Sequence, residues 1–227
     1  MDGWSVRRIV VPGTSGAGKS TLSRAVARVV GGPHVELDAF QHGPGWTTPP
    51  AEEIRARVAA ATEGPAWVVD GNLAAVTADV LWHRADLIVW LDPPLWVVVP
   101  RLLRRSAVRI ARRTPLWNGN RERLDFLVGR DSVAAWAVRA RRRHHAEYPD
   151  RLARAGVPWV RLRSAADVTR WFAGFSAVRS SAARADAAAS AAASGAAASG
   201  AARTGAAEFS AASRRPPGTG RPGPASR

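Results

Sequence analysis

The sequence predicts an α/β fold in which a parallel sheet carries helices on both faces. Three observations lead there. Short apolar runs alternate along the chain with segments whose apolar residues recur at helical spacing. A glycine-rich stretch, Gly13 to Ser20, separates the first such run from the first such helix. The chain has 227 residues and no cysteine, so it is long enough to bury its own core and has no disulfide or thiolate metal site to lean on.

The elements follow in order. Val6 to Val11 is an apolar run closed by Pro12-Gly13 and reads as a buried strand. Ser20 to Val30 places Leu22, Ala25, Val26, Val29 and Val30 on one helical stripe and stops at Gly31-Gly32-Pro33. His34 to Leu37 is a second strand. Pro50 to Ala61 is a helix with Glu52 and Glu53 in its first turn, where the helix dipole favours acids. Ala66 to Asp70 and Leu87 to Leu91 are further strands. Pro94 to Arg113 is helical, with a kink expected at Pro100. Asp131 to His145 is another helix, Trp159 to Leu162 a fifth strand, and Ser164 caps a last helix to Phe172. These elements make one domain, residues 1–175. From Ser176 onward the chain is almost wholly Ala, Ser, Gly, Arg and Pro, with Phe209 its one aromatic residue. Such a segment buries too little to offset its ordering entropy, so residues 176–227 are expected to be a disordered tail.

Gly13-Thr14-Ser15-Gly16-Ala17-Gly18-Lys19-Ser20 fits G-x-x-x-x-G-K-[ST] without a mismatch, strand before and helix after. Glycines let successive backbone N–H groups turn inward around phosphate oxygens, and the helix N-terminus adds favourable partial charge. Lys19 supplies a point charge to the β- and γ-phosphates of ATP; Ser20 can ligate Mg²⁺, and Thr21 continues the first turn. Lys19 is the one lysine among 33 basic residues. Where every other cation is Arg, a lysine here says that a compact ammonium is needed.

The loop, the strand end Val68-Val69-Asp70-Gly71 and the Arg-rich segment after the fourth strand resemble adenylate kinase and related P-loop kinases. The chain is similar above all to a bacterial adenylate kinase-related group labelled "DNA topology modulation protein". Its members share elements like Glu36-Leu37-Asp38-Ala39, Trp67-Val68-Val69-Asp70-Gly71-Asn72, Trp90-Leu91-Asp92 and Leu116-Trp117-Asn118-Gly119-Asn120-Arg121-Glu122. The resemblance covers about residues 6–172. It implies the P-loop NTPase three-layer sandwich, with a five-stranded parallel sheet of order 2-3-1-4-5 and an Arg-rich helical lid at about residues 101–143. Asp70-Gly71-Asn72-Leu73-Ala74 departs from the Asp-Gly-Phe-Pro-Arg signature of adenylate kinases, so AMP is not implied as the acceptor.

Two carboxylates compete for the metal. In the implied sheet order Asp70 ends the strand beside the phosphate loop and would hold Mg²⁺ through water; Asp92, ending the fourth strand, is its rival. Asp38 ends the second strand, where kinases resembling this one place a substrate-binding carboxylate, and it could orient or deprotonate an acceptor hydroxyl. His42 and Trp46 follow on the same loop and could line the acceptor pocket. Residues 101–143 hold 13 Arg against Glu122, Asp125 and Asp131. Phosphoryl transfer spreads negative charge that a closing lid meets with arginines. By the resemblance, Arg101 and Arg105 start the lid beside ATP, and Arg130, Arg139 and Arg141 come from its other side. Ser132 stands where a second Asp is common.

The formal net charge is +15, but it rests almost entirely on Arg, as codon bias would also give, and only weakly favours nucleic acid. No apolar run is long enough to span a membrane, and Met1-Asp2-Gly3-Trp4-Ser5 has no signal pattern, so the expected address is the cytoplasm. The expected activity is transfer of the γ-phosphoryl of Mg-ATP to a small-molecule or nucleotide acceptor. The alternative is a nucleic-acid-associated ATPase or a regulatory ATP-binding protein.

Overall fold

The computed structural model describes residues 6–129 and 132–212. Five parallel strands, β1 (Arg8–Val11), β2 (His34–Glu36), β3 (Trp67–Asp70), β4 (Leu87–Leu91) and β5 (Trp159–Leu162), form one sheet of order β2-β3-β1-β4-β5. That is the order the resemblance implies. The helices are α1 (Lys19–Val30), α2 (Leu37–Gln41), α3 (Ala51–Ala61), α4 (Ala74–Leu81), α5 (Leu95–Ala111), α6 (Val133–Ala155) and α7 (Ala165–Ala212).

Both faces of the sheet are buried, which is why its strands read as continuous apolar runs. The pleat still sorts them. Val10, Trp67, Val69, Ile88 and Trp90 face one way, into a core shared with Ile54 and Val58 of α3, Leu81 of α4 and Tyr148 and Leu152 of α6. Ile9, Val11, Val68, Val89 and Leu91 face the other, into a core with Leu22, Val26 and Val30 of α1 and Trp171 and Phe172 of α7. Every phosphate-loop and carboxylate candidate leaves a strand at its C-terminal end, where open α/β sheets bind ligands.

Three elements differ from the sequence reading. Leu37 opens the short helix α2 instead of ending β2, so Asp38 sits on a helical turn just past the strand. The sequence reading contains no α4; it is short, and it is held against α3 where Arg55 donates to the Val76 carbonyl at 3.1 Å and pairs with Asp79. α6 runs on past His145 through Pro149 because its buried face continues as Ala140, His144, Tyr148 and Leu152 while the proline stays exposed. It ends at Gly156 with φ +64°. α7 begins as expected, in a capping box: Ser164 Oγ accepts from Asp167 N–H at 3.1 Å, and Asp167 Oδ2 accepts from Ser164 N–H at 3.0 Å.

One compact unit ends at Arg179 and a second begins at Ser180. In the second, the described residues are helical to Ala212, in a stretch expected to lack fixed structure. Alanine is the strongest helix former, and the glycines among these residues cost about 1 kcal/mol each without breaking the assignment. Among the described residues, no helix is long and apolar enough to cross a membrane.

Candidate active site

The chain leaves β1 and turns at once into the phosphate-binding loop. At Gly13 it passes so close to β4 that an added Cβ would lie 2.4 Å from the Leu91 carbonyl oxygen; only glycine fits. Gly13 N–H donates to Asn72 Oδ1 at 3.2 Å, so a side chain from the turn after β3 pins the start of the loop. Gly13, Thr14 and Ala17 form the buried back of the loop, closed by Ala17 N–H on the Thr14 carbonyl at 3.0 Å. Ser15, Gly16, Gly18, Lys19, Ser20 and Thr21 line a cleft of about 920 Å³ in front of it.

The loop suits phosphate. No side chain caps the N-terminus of α1 at Gly18, so its first N–H groups keep their capacity for an anion. A Cβ added at Gly18 would meet nothing within 4 Å, so the space beside the loop is open. Lys19 is 7% exposed, and its Nζ donates to the Thr14 carbonyl at 3.4 Å. Burial lowers its pKa, while the charges of Asp38 and then Asp70 oppose that fall.

Arg101 and Arg105 of α5 line the same cleft, as do Asp38, His42 and Trp46. Asp70 does not: it is 2% exposed, abreast of Val11 and Glu36 in the sheet, and accepts from His34 Nε2 at 2.8 Å. Among the described residues no cluster of three acidic or histidine side chains offers a metal cage. Mg²⁺ would therefore draw ligands from nucleotide phosphates and water besides Ser20, as this ion ordinarily does.

Asp92 is otherwise engaged. Arg161 Nε donates to its Oδ2 at 3.0 Å, His145 Nε2 lies 2.8 Å from its Oδ1, and Arg141 Nε lies 3.2 Å from the same oxygen. Burial alone would raise the Asp92 carboxyl, but hydrogen bonds from His145 and Arg161 hold it below the usual range. Arg161 also stacks over Trp90, 4.2 Å from the ring centroid. Two expectations change here. Asp92 is saturated by protein cations, which leaves it poorly suited to a metal. Arg141, expected at the moving phosphoryl, lies on Asp92 and outside the cleft lining. Arg139 does not line the cleft either, and Arg130 lies outside the described residues.

In their place α6 contributes residues that the motifs do not mark: Arg143, His144, Glu147 and Tyr148 line the cleft. His144 is 6% exposed, stacks on Tyr148 at 4.5 Å, and its Nδ1 has no hydrogen-bond partner. Burial, then the Lys19 charge, lowers its pKa to about 4. The available signal was the spacing of Ala140, His144 and Tyr148, four apart on one helix face. Glu36, Asn72 and Trp117 also line the cleft without having been assigned a duty.

No family model matches the chain, and no curated protein matches its sequence. Solved structures similar to it include a shikimate kinase from Acinetobacter baumannii in complex with shikimate, 16% identical with a TM-score of 0.46, covering 72% of this chain and 88% of that one. A deoxyadenosine kinase from M. mycoides is 13% identical with a TM-score of 0.45, covering 74% and 95%. A gluconokinase from Sinorhizobium meliloti is 18% identical with a TM-score of 0.42, covering 75% and 95%. At such identities and scores the likeness carries nothing about the site; the sheet order and the Gly13–Ser20 loop are those of a P-loop fold.

Proposed function

We propose that this protein is an ATP-dependent phosphotransferase that moves the γ-phosphoryl of Mg-ATP to a hydroxyl of a small-molecule or nucleotide acceptor. The observation that carries the reading is the meeting, in one cleft, of the phosphate loop with Lys19, the α5 cations Arg101 and Arg105, and the carboxylate Asp38. Asp38 is the largest favourable charge felt by Lys19 and also acts on Arg105, so donor cations and acceptor carboxylate converge. In the proposed reaction the acceptor oxygen bonds to the γ-phosphorus, the bond to the bridging oxygen of ADP breaks, and the acceptor proton passes to Asp38. Lys19 and Arg105 hold the charge that spreads over the moving group. Mg²⁺, held by Ser20 together with nucleotide oxygens and water, would neutralise the phosphates; Asp70, buried behind the cleft on His34, is not placed to hold it. The similarity to the adenylate kinase-related group agrees with this reading.

Lys19→Ala should abolish transfer from labelled ATP with the fold intact by circular dichroism. Asp38→Asn should keep Mg-ATP binding by calorimetry yet slow transfer by about 10²–10⁴-fold. Wild-type turnover in Lys19→Ala would refute the phosphate-loop assignment. Loss of ATP affinity in Asp38→Asn would refute the acceptor-side role.

A further inference from the structure

The segment Leu116–Glu122 is prominent in the sequence, yet the reaction leaves it without a duty. In the fold it lies against the loop that follows α2. Asn120, 5% exposed, uses both ends of its amide there: Nδ2 donates to the Gly43 carbonyl at 2.9 Å, and Oδ1 accepts from Trp46 N–H at 3.0 Å. Asn118 Nδ2 donates to the His42 carbonyl at 2.5 Å. Trp46 Nε1 donates back to the Arg121 carbonyl at 3.3 Å, and Trp117 Nε1 donates to Glu36 Oε2 at 3.2 Å. Loop groups that no strand or helix pairs are thus satisfied by a second loop some 75 residues away, and a buried amide used at both ends fixes register as well as contact.

What these bonds fix is a set of rings. His42 lies 5.4 Å from Trp117, nearly parallel, and 5.3 Å from Trp46, edge-on. All three line the cleft that holds Lys19 and Asp38. Aromatic walls of this kind receive a ring with an apolar face. Two of the basic side chains on this side are paired with carboxylates. Glu36 and Asp38 border the wall; Arg24 lies 2.6 Å from Glu36, and Arg109 lies 3.0 Å from Glu122. Burial keeps the His42 imidazole below its usual pKa, hence neutral at pH 7. Lys19, Arg101 and Arg105 stand on the donor side, and Arg143 stands across on α6. A phosphate on the acceptor would approach the Asp38 carboxylate here, at a repulsive cost.

Resting on the kinase reading, we propose that Asn118 and Asn120 are positioning residues that hold His42, Trp46 and Trp117 as a wall for the acceptor. The acceptor is then a hydroxyl compound whose ring has an apolar face and which carries no phosphate, the chemistry shared by a nucleoside and a pyranose.

The test uses the full chain with labelled Mg-ATP and a panel of adenosine, cytidine, glucose, their monophosphates and glycerol. Transfer should go to at least one of the three neutral ring compounds, ahead of its phosphate and of glycerol; nucleosides against glucose separates the two sources. For that compound, Asn120→Ala and Trp117→Ala should raise the acceptor KM at least about tenfold and leave the ATP KM within about twofold. Trp117→Phe, which keeps a ring, should restore most of the loss. Since Asn120 is buried, its variant is read only if its melting curve stays cooperative; the Trp117 pair carries the test otherwise. Preference for a monophosphate or glycerol, transfer to none of the panel with Mg-ATP binding intact, or equal rises in both KM values overturns this inference alone. A chain that binds no Mg-ATP overturns the kinase reading and this inference with it.

Discussion

His144 carries a cost that the rest of α6 does not. Its folded pKa of about 4 lies below the ordinary imidazole value of 6.5, so between those limits the unfolded chain binds the extra proton. Stability from this group is complete above the unfolded pKa and is lost as pH falls through 6.5 toward about 4. Between pH 7 and pH 5 the loss is about 2 kcal/mol. His144→Phe, which keeps the stack on Tyr148, should flatten that part of the profile in urea unfolding at the two pH values. An unchanged slope would mean that other groups carry it. The contrast with Lys19 explains what a sequence can disclose about single residues. Lys19 is legible because its motif ties residue type, loop shape and following helix to one chemistry. His144 is not, since a histidine on a helix face acquires meaning only when that face is shown to border the phosphate loop. Asp92 stands as a rival to Asp70 in the sequence for the same reason: its strand-end position resembles that of a metal carboxylate, and only the tertiary fold brings Arg161 and His145 onto it.

At the scale of elements, the Asp92 cluster ties three of them together: the end of β4, Arg161 of β5, and His145 and Arg141 of α6. Arg161→Ala should destabilise the protein by about 2–3 kcal/mol in urea unfolding, since it strips a buried carboxylate of its best-placed partner. Calorimetry should find Mg-ATP binding by the folded variant unchanged, since Arg161 is outside the cleft lining. Arg141→Ala should cost less, because its Nε makes no hydrogen bond. The strands and α1 are visible in the sequence because both are strong local patterns bounded by Gly and Pro. α4 is invisible because its eight residues, with Val76, Thr77 and Val80 among them, have neither the length nor the propensity to announce a helix. Packing against α3 decides it. α6 runs beyond the expected end at His145 because Pro149 faces water and the buried stripe continues beneath it.

For the molecule as a whole, residues 180–227 carry one large apolar side chain, Phe209, so composition gives them little to bury. A chain ending at Arg179 should keep its melting temperature within about 4 °C by calorimetry, the upper end of the shift that roughly 1 kcal/mol produces in a domain of this size. A larger fall would show that the missing residues support the α/β unit. Within that unit, the turn after β3 touches every limb of the site. Asn72 holds the amide of Gly13 on the donor loop. Gly71 lets Leu37, next to Asp38, come so close that an added Cβ would lie 2.6 Å from its Cβ. Leu73 shares a core with Tyr148 of α6. The phosphate loop, the turn that carries Asp38 and, through the shared core, α6 therefore meet around residues 71 to 73. A side chain at the rim of the cleft can change by itself, but a change at Gly71 or Asn72 displaces the phosphate loop and the Asp38 turn together.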